Sequence, residues 1–275
     1  LTRGQEEVYI APEPEEAVVE PEQVVDVRTI GTSGEGRAIE AHTFGDGDKH
    51  LLFVGGIHGG YEWNTVVLAH QVIDYLNENP DTVPENQTVT IIPDINPDGT
   101  FAVVGTEGRF AAADVSAVET APGRFNTNDV DLNRNFGCKW QPESTWRGNV
   151  VSAGTAAFSE PEAIALRDFV MTNELAMVAF WHSQGDAVYA SECEAGILPE
   201  TLVLMNTYAE AAGYQAIPSF DAYPITGDAE GWLASIGIPA LTVELSTHEI
   251  IELEKNLAGL KSLFAYYQSD ESLAR

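Results

Sequence analysis

Apolar residues along this chain follow two patterns: short continuous runs, and longer stretches with a helical period. Residues 51–57 form one continuous run, bounded by His50 and by glycines, and read as a buried strand. Over 64–79 the apolar positions Val66, Ala69, Ile73 and Leu76 fall on one stripe and predict a helix. Residues 87–95 predict a second strand, stopped by the turn chemistry of Asn96-Pro97-Asp98-Gly99. Ser159-Glu160-Pro161-Glu162 predicts a helix start, with Ser159 as N-cap and Glu162 as its reciprocal partner. That helix leads to an apolar strand over 176–181. A further helix is expected over 198–212, with Gly213 placed to end it, and a buried strand over 239–245. Ile250, Leu253, Leu257, Leu260, Phe264 and Tyr267 form the stripe of a last helix, which faces the core.

Strands that alternate with helices imply a mostly parallel sheet covered on both faces. In such sheets ligands bind beyond the carboxyl ends of the strands. His58, His182 and Glu244 each lie at or just past the end of a predicted strand, so one sheet edge could gather all three. Residues 100–129 lack periodicity and are expected to form long loops over that edge. Residues 11–23 are rich in Pro and Glu and read as an extended lead segment. The expected organisation is therefore a lead over 1–25 and one domain over 26–275.

Charge narrows the partners. With 43 Asp and Glu against 13 Lys and Arg, the net charge of −30 disfavours nucleic-acid backbones and anionic membranes. It suits the hydrated surface of an exported or salt-adapted protein. The chain begins at Leu1 rather than Met, which leads us to expect a removed signal segment and an extracellular or cell-envelope location. No apolar run approaches the roughly 20 residues that span a bilayer. Two cysteines, Cys138 and Cys193, exclude a Cys-rich metal cluster. A disulfide and a pair of buried thiols are both compatible with them, and a disulfide would favour an oxidising compartment.

In so acidic a chain, arginines gathered in one stretch ask for a reason. Val130-Asp131-Leu132-Asn133-Arg134-Asn135-Phe136, with Arg124 upstream, is suited to gripping a carboxylate. Arg offers a planar fork that meets both carboxylate oxygens, and Asn adds a neutral donor. A surface ion pair is the alternative reading. Of the six histidines, His58 and His182 alone end apolar strands beside Gly or Ser; His42, His50, His70 and His248 read as surface or packed residues. Glu244, between Val243 and Leu245 in an apolar strand, would be costly to bury without purpose.

Further segments complete an ordered set: Gly55-Gly56-Ile57-His58-Gly59-Gly60-Tyr61-Glu62, Asn96-Pro97-Asp98-Gly99, Trp181-His182-Ser183-Gln184, Tyr223-Pro224-Ile225-Thr226-Gly227-Asp228 and Leu241-Thr242-Val243-Glu244-Leu245. With the Asn133–Arg134 motif, this order resembles the zinc metallocarboxypeptidases of the carboxypeptidase A/B type. The resemblance runs from Ile30-Gly31-Thr32-Ser33 to the last helix. It implies a three-layer α/β/α fold with a mixed, mostly parallel central sheet.

The resemblance also implies one Zn2+ per chain, held by His58, Glu62 and His182 with a position left to water. Glu244 corresponds to the general base, which takes a proton from that water and passes it to the leaving amine. Arg124 corresponds to the arginine that polarises the scissile carbonyl. Asn133 and Arg134 correspond to the pair that holds the substrate's terminal carboxylate, and Tyr223 to a mobile tyrosine that covers the substrate. Glu230 falls where the family lines the pocket for the terminal side chain. An acid there accompanies preference for basic residues such as Lys, Arg or diaminopimelate; Asp228 is a rival for that role, and Glu230 could instead begin a short helix before Trp232. The implied activity is zinc-dependent hydrolysis of the C-terminal peptide bond, on peptides with a free terminal carboxylate. Two other readings stand beside it: a zinc N-acyl amino-acid deacylase or amidase, which would not be expected to keep Tyr223, and a metal-free peptide-binding relative.

One departure bears on the metal. The family usually places two residues between its first two ligands, whereas Gly59, Gly60 and Tyr61 stand between His58 and Glu62. The extra residue should redirect the carboxylate unless the backbone absorbs it, and two glycines can adopt positive φ and supply that slack.

Overall fold

The computed structural model describes residues 26–115 and 119–273, so the expected lead over 1–25 lies outside the described residues. The chain runs through β1 (Asp26–Thr32), β2 (Ala38–Phe44), β3 (Lys49–Val54), α1 (Trp63–Glu78), β4 (Gln87–Ile92) and α2 (Pro97–Val104). A hairpin of β5 (Glu143–Trp146) and β6 (Asn149–Ser152) follows, then α3 (Pro161–Thr172), β7 (Leu175–Ser183) and β8 (Ala187–Ala190). The remainder is β9 (Glu192–Cys193), β10 (Gly196–Ile197), α4 (Pro199–Ala212), β11 (Gln215–Ile217), α5 (Ala229–Ser235), β12 (Ala240–Leu245) and α6 (Leu253–Leu273).

The continuous apolar runs become the middle of one sheet, ordered β1-β2-β4-β3-β7-β12-β8-β11. Pairing is parallel from β4 through β12 and again between β8 and β11. It is antiparallel at β1–β2, β2–β4 and β12–β8. Side chains alternate across the central strands, as the pleat requires. Leu51, Phe53, Trp181 and Val243 pack into one buried layer with residues of α1, α4 and α6. Leu52, Val54, Val178 and Phe180 pack into the other with residues of α3 and α5. The fold is thus the expected three-layer α/β/α with a mixed, mostly parallel sheet.

Several local expectations change. Asn96-Pro97-Asp98-Gly99 is not a bare turn; it starts α2, with Asn96 Oδ1 accepting from the Gly99 amide at 3.1 Å and Pro97 in the first helical position. Residues 100–129 therefore begin with helix, and short 3-10 turns follow at Ala112–Asp114 and Ala121–Arg124. Ser159 does not cap α3. Glu160 takes the N-cap position in extended backbone, and Ser159 Oγ donates to Glu160 and accepts from Asn135. Ile250 precedes α6 and is 54% exposed, so the core stripe starts at Leu253. No helix among the described residues is long and apolar enough to cross a membrane.

Candidate active site

The parallel centre of the sheet delivers three segments to one edge. β3 leads into His58, β7 carries His182, and β12 carries Glu244 in register with His182. On that edge lies a cavity of about 600 Å³, lined among others by His58, Glu62, Arg124, Arg134, His182 and Glu244.

The extra residue between His58 and Glu62 is absorbed by a 3-10 turn over Gly59–Glu62. Gly59 adopts φ +45, and a Cβ there would meet the Gly123 carbonyl oxygen at 2.6 Å. A Cβ on Gly60 would meet Val103 Cβ at 2.5 Å. Glycine is thus needed at both positions, and the turn brings Glu62 back to His58 with Oε1 at 2.8 Å from Nδ1. His182 Nδ1 lies 3.3 Å from His58 Nδ1 and 3.3 Å from Glu62 Oε2. The spacing departure leaves the triad intact.

These three side chains fit one zinc ion. Two imidazole nitrogens aimed at each other and at one carboxylate are reconciled by a cation between them. A tetrahedron with metal–nitrogen bonds of roughly 2.0–2.1 Å has edges of about 3.3 Å, the spacing of the two ring nitrogens. Outer partners address the far nitrogens. His58 Nε2 is 3.6 Å from Asp131 Oδ1, and His182 Nε2 is 3.0 Å from Glu230 Oε1. Carboxylates in that position fix the orientation of ligand histidines and raise their basicity. Among the described residues, His58, Glu62 and His182 are the one group of acidic, His or Cys side chains spaced to hold a metal.

The local charges are set by these contacts. Burial pushes the Glu62 carboxyl up, but His58 and His182 outweigh it and hold it well below the usual range. Burial likewise opposes ionisation of Asp131, and Arg124, Arg134 and His58 overcome it. Burial disfavours charge on His182, yet Glu230 and Glu62 raise its pKa well above the ordinary value; a bound cation would take the place of that proton. Glu244 differs: burial, with Glu62 and Glu230 adding repulsion against the pull of His182 and Arg124, raises its carboxyl to about 7. Its Oε2 is buried without a hydrogen-bond partner.

Arg124 is 3% exposed and fixed by Asp131, with Nε and Nη2 at 3.0 and 2.8 Å from Oδ2. Its Nη1 stands 3.9 Å from Glu62 Oε1, beside the metal ligands. Asn133 accepts the Ala229 amide on Oδ1 at 2.8 Å, which leaves its Nδ2 as the free donor end. Arg134 donates to the carbonyls of Asn133 and Thr145 at 2.6 and 3.5 Å, and its buried Nε has no partner. No carboxylate forms an ion pair with Arg134 among the described residues. Tyr223 is half-buried on the cavity wall, edge-on to Phe220 at 4.9 Å. Glu230 lies in the first turn of α5, buried, and its Oε1 is shared by His182 and Thr242. Asp228 lines the same cavity and caps α5 through the Gly231 amide, and burial raises its carboxyl to about 6.

Some residues of the site carry no assignment from sequence. Asp131 stands inside the Asn133–Arg134 motif, and its link to both Arg124 and His58 appears only in three dimensions. His248, expected as a surface or packed residue, borders the cavity; Ser183 Oγ lies 2.8 Å from its Nδ1 and Tyr61 Oη 3.2 Å from its Nε2. The β5–β6 hairpin forms a further wall, through Trp146 and Arg147. Cys138 and Cys193 form a disulfide, with Cα atoms 6.1 Å apart, which ties the segment after Arg134 to β9.

Comparison with known proteins agrees with this geometry. A family model described as zinc carboxypeptidase matches residues 16–258. Gamma-D-glutamyl-L-diamino acid endopeptidase 1 of Lysinibacillus sphaericus is 26% identical over 240 residues, covering 79% of this chain and 60% of that protein. Carboxypeptidase B of Helicoverpa zea is 28% identical over 258 residues, covering 82% of this chain and 59% of that protein. The chain thus spans about three fifths of the length of these curated relatives. Among solved structures, bovine thrombin-activatable fibrinolysis inhibitor superimposes with a TM-score of 0.71 at 18% identity, over 91% of this chain and 92% of that one. Murein-tripeptide amidase MpaA from Escherichia coli O157 gives 0.61 at 22% identity, over 86% and 91%. These structures share the fold, and the family match together with the His58–Glu62–His182 triad places the chain in the zinc carboxypeptidase family.

Proposed function

We propose that the protein is a zinc-dependent carboxypeptidase that removes the C-terminal residue of a peptide. The observation that carries this reading is Arg134: a guanidinium 3% exposed, facing the metal-site cavity, in direct ion-pair contact with no carboxylate among the described residues and with its buried Nε unpartnered. Leaving such a buried donor without a partner is costly, and a substrate's terminal carboxylate would satisfy it together with Asn133 Nδ2.

Zinc in the triad would supply a Lewis acid and an acidified water. The protein's own groups then have distinct tasks. Asn133 and Arg134 fix the terminal carboxylate and so set which amide bond reaches the metal. Arg124, held by Asp131, points donors at the scissile carbonyl oxygen, where negative charge develops. Glu244, beside the triad with a buried, unpartnered Oε2, accepts a proton and returns it to the leaving amine. Tyr223 closes the cavity against solvent.

For the departing residue we infer an amine- or guanidinium-bearing side chain, such as Lys, Arg or diaminopimelate, met by Asp228 and Glu230. The relative named as a gamma-D-glutamyl-L-diamino acid endopeptidase and the murein-tripeptide amidase favour including non-standard amides among the substrates. We further infer an exported protein, because the Cys138–Cys193 disulfide suits an oxidising compartment.

The test is release of the terminal residue from peptides ending in Lys, Arg, diaminopimelate, Phe or Leu, each free and amidated, with and without a chelator. Chelator-sensitive release from free ends alone is expected. Equal cleavage of amidated peptides would remove the Asn133–Arg134 assignment, and turnover of acyl amino acids alone would shift the reading to a deacylase.

A further inference from the structure

Beside Arg124 the cavity wall carries a second guanidinium, Arg147, that this mechanism does not use. At the tip of the β5–β6 hairpin Trp146 stands edge-on to Tyr61, with ring centroids 5.2 Å apart, and Tyr61 in turn meets His248 at 4.6 Å. Two guanidinium groups face the same rings. Arg124 Cζ lies 4.6 Å from the Trp146 centroid, and Arg147 Cζ lies 5.7 Å from Trp146 and 6.0 Å from Tyr61. Asp131 answers the charge of Arg124. Arg147 is exposed and has no acid partner among the described residues, in a chain of net charge −30.

The backbone at Arg147 adds a second observation. The hairpin turns on Arg147 and Gly148, at φ +49 and φ +80. Two-residue turns of this kind prefer Asn-Gly or Gly-Gly, and a residue with a Cβ in the left-handed region costs about 1 kcal/mol. An arginine held there over two aromatic rings, on a cavity wall, is placed for contact rather than for folding.

Resting on the carboxypeptidase reading, the direction of the substrate follows. The terminal carboxylate sits at Asn133 and Arg134, and the scissile carbonyl sits at Arg124. The residue on the amino side of the scissile bond then continues past Arg124 onto Tyr61, Trp146 and Arg147. We propose that this wall is a subsite for a carboxylate carried by that penultimate residue, recognised by Arg147 and packed against Trp146.

The experiment compares acetyl-Ala-Glu-Lys with acetyl-Ala-Gln-Lys, which differ in one charge at the penultimate position. A solvent-facing pair of this kind should favour the Glu peptide by about three- to fivefold in kcat/KM. The preference should shrink as ionic strength rises. Arg147→Gln should bring the ratio to one, Arg147→Lys should keep part of it, and Arg147→Gly, which suits the turn, should also abolish it without straining the hairpin. A wild-type ratio of one, or a ratio that survives Arg147→Gln and Arg147→Gly, overturns the subsite.

Binding of the same peptides to zinc-loaded Glu244→Gln protein, by calorimetry, separates this from the function itself. Tighter binding of the Glu peptide that depends on Arg147, without turnover of either peptide by the wild type, upholds the subsite while the carboxypeptidase reading falls. Turnover of both peptides at equal rates does the reverse. Absence of both binding and turnover removes the two together.

Discussion

Glu230 Oε1 lies 3.0 Å from Nε2 of His182, so an acid read from sequence as a contact for substrate also supports a metal ligand. Both groups are buried, and Thr242 Oγ1 donates to the same oxygen at 3.0 Å. Such a carboxylate orients the imidazole so that Nδ1 meets the metal.

Glu230→Gln should therefore weaken zinc retention by roughly tenfold to a hundredfold, as read by competition with a chelator. Saturating zinc should then restore turnover of peptides ending in Phe or Leu, and the deficit that remains should fall on those ending in Lys or Arg. An equal residual loss on both sets would confine Glu230 to holding His182. In that case Asp228→Asn, and not Glu230→Gln, would carry the selective loss.

The second prediction concerns the glycines that absorb the extra residue. A methyl group on Gly60 would press on Val103 Cβ at 2.5 Å and on the Gly99 carbonyl oxygen at 2.8 Å. Relief requires the 3-10 turn to move, and Glu62 rides on that turn. Gly60→Ala should destabilise the fold by about 1–3 kcal/mol. It should also lower zinc content well below one ion per chain after dialysis. A variant with full zinc content and unchanged Tm would show that the turn tolerates the displacement.

Sequence carried the frame of this molecule further than its outer walls. The strands around Leu52, Phe180 and Val243 were legible because burial on both faces demands continuous apolar runs, which little else in a chain of this composition produces. His58, His182 and Glu244 were legible for a related reason, as polar residues standing where those runs end. Asp131 was not, because its role depends on Arg124 and His58 converging on it from separate segments. His248 was hidden too: it follows β12 in a loop held by Asn64, whose Nδ2 donates to the Thr247 and Ile250 carbonyls, and no local periodicity marks such a contact. The Ser159 cap failed because Asn135 and Glu160 compete for its hydroxyl.

The disulfide gives the third prediction. Cys138 and Cys193 are 55 residues apart in sequence, and their bond anchors the segment that follows Arg134. Closing a loop of that length stabilises the folded state by about 4 kcal/mol on chain-entropy grounds. The double substitution Cys138→Ser and Cys193→Ser should lower Tm accordingly. On the proposed reading, loosening the wall that carries Asn133 and Arg134 should raise KM more than it lowers kcat. A variant that lowers kcat alone would place the effect at the metal rather than at Asn133 and Arg134.

The fourth prediction turns on the direction in which Glu244 is displaced. Burial and the neighbouring carboxylates raise its pKa from 4.5 to about 7 in the folded, metal-free protein. An acid whose folded pKa is raised binds more protons folded than unfolded between those two values. Its contribution to stability is thus fully present below pH 4.5 and is lost as pH rises through 7. Above that range the ionised carboxylate costs the fold up to about 3 kcal/mol, since each tenfold change in proton affinity is worth about 1.4 kcal/mol. Glu244→Gln should therefore raise the Tm of the chelator-treated protein at pH 8 and leave it nearly unchanged at pH 4.5. Zinc should shrink the difference, because a cation in the triad stabilises the ionised form. Denaturant unfolding of both proteins at the two pH values, with and without zinc, measures it directly. An advantage for Glu244→Gln that is as large at pH 4.5 as at pH 8 would trace the effect to packing instead of charge.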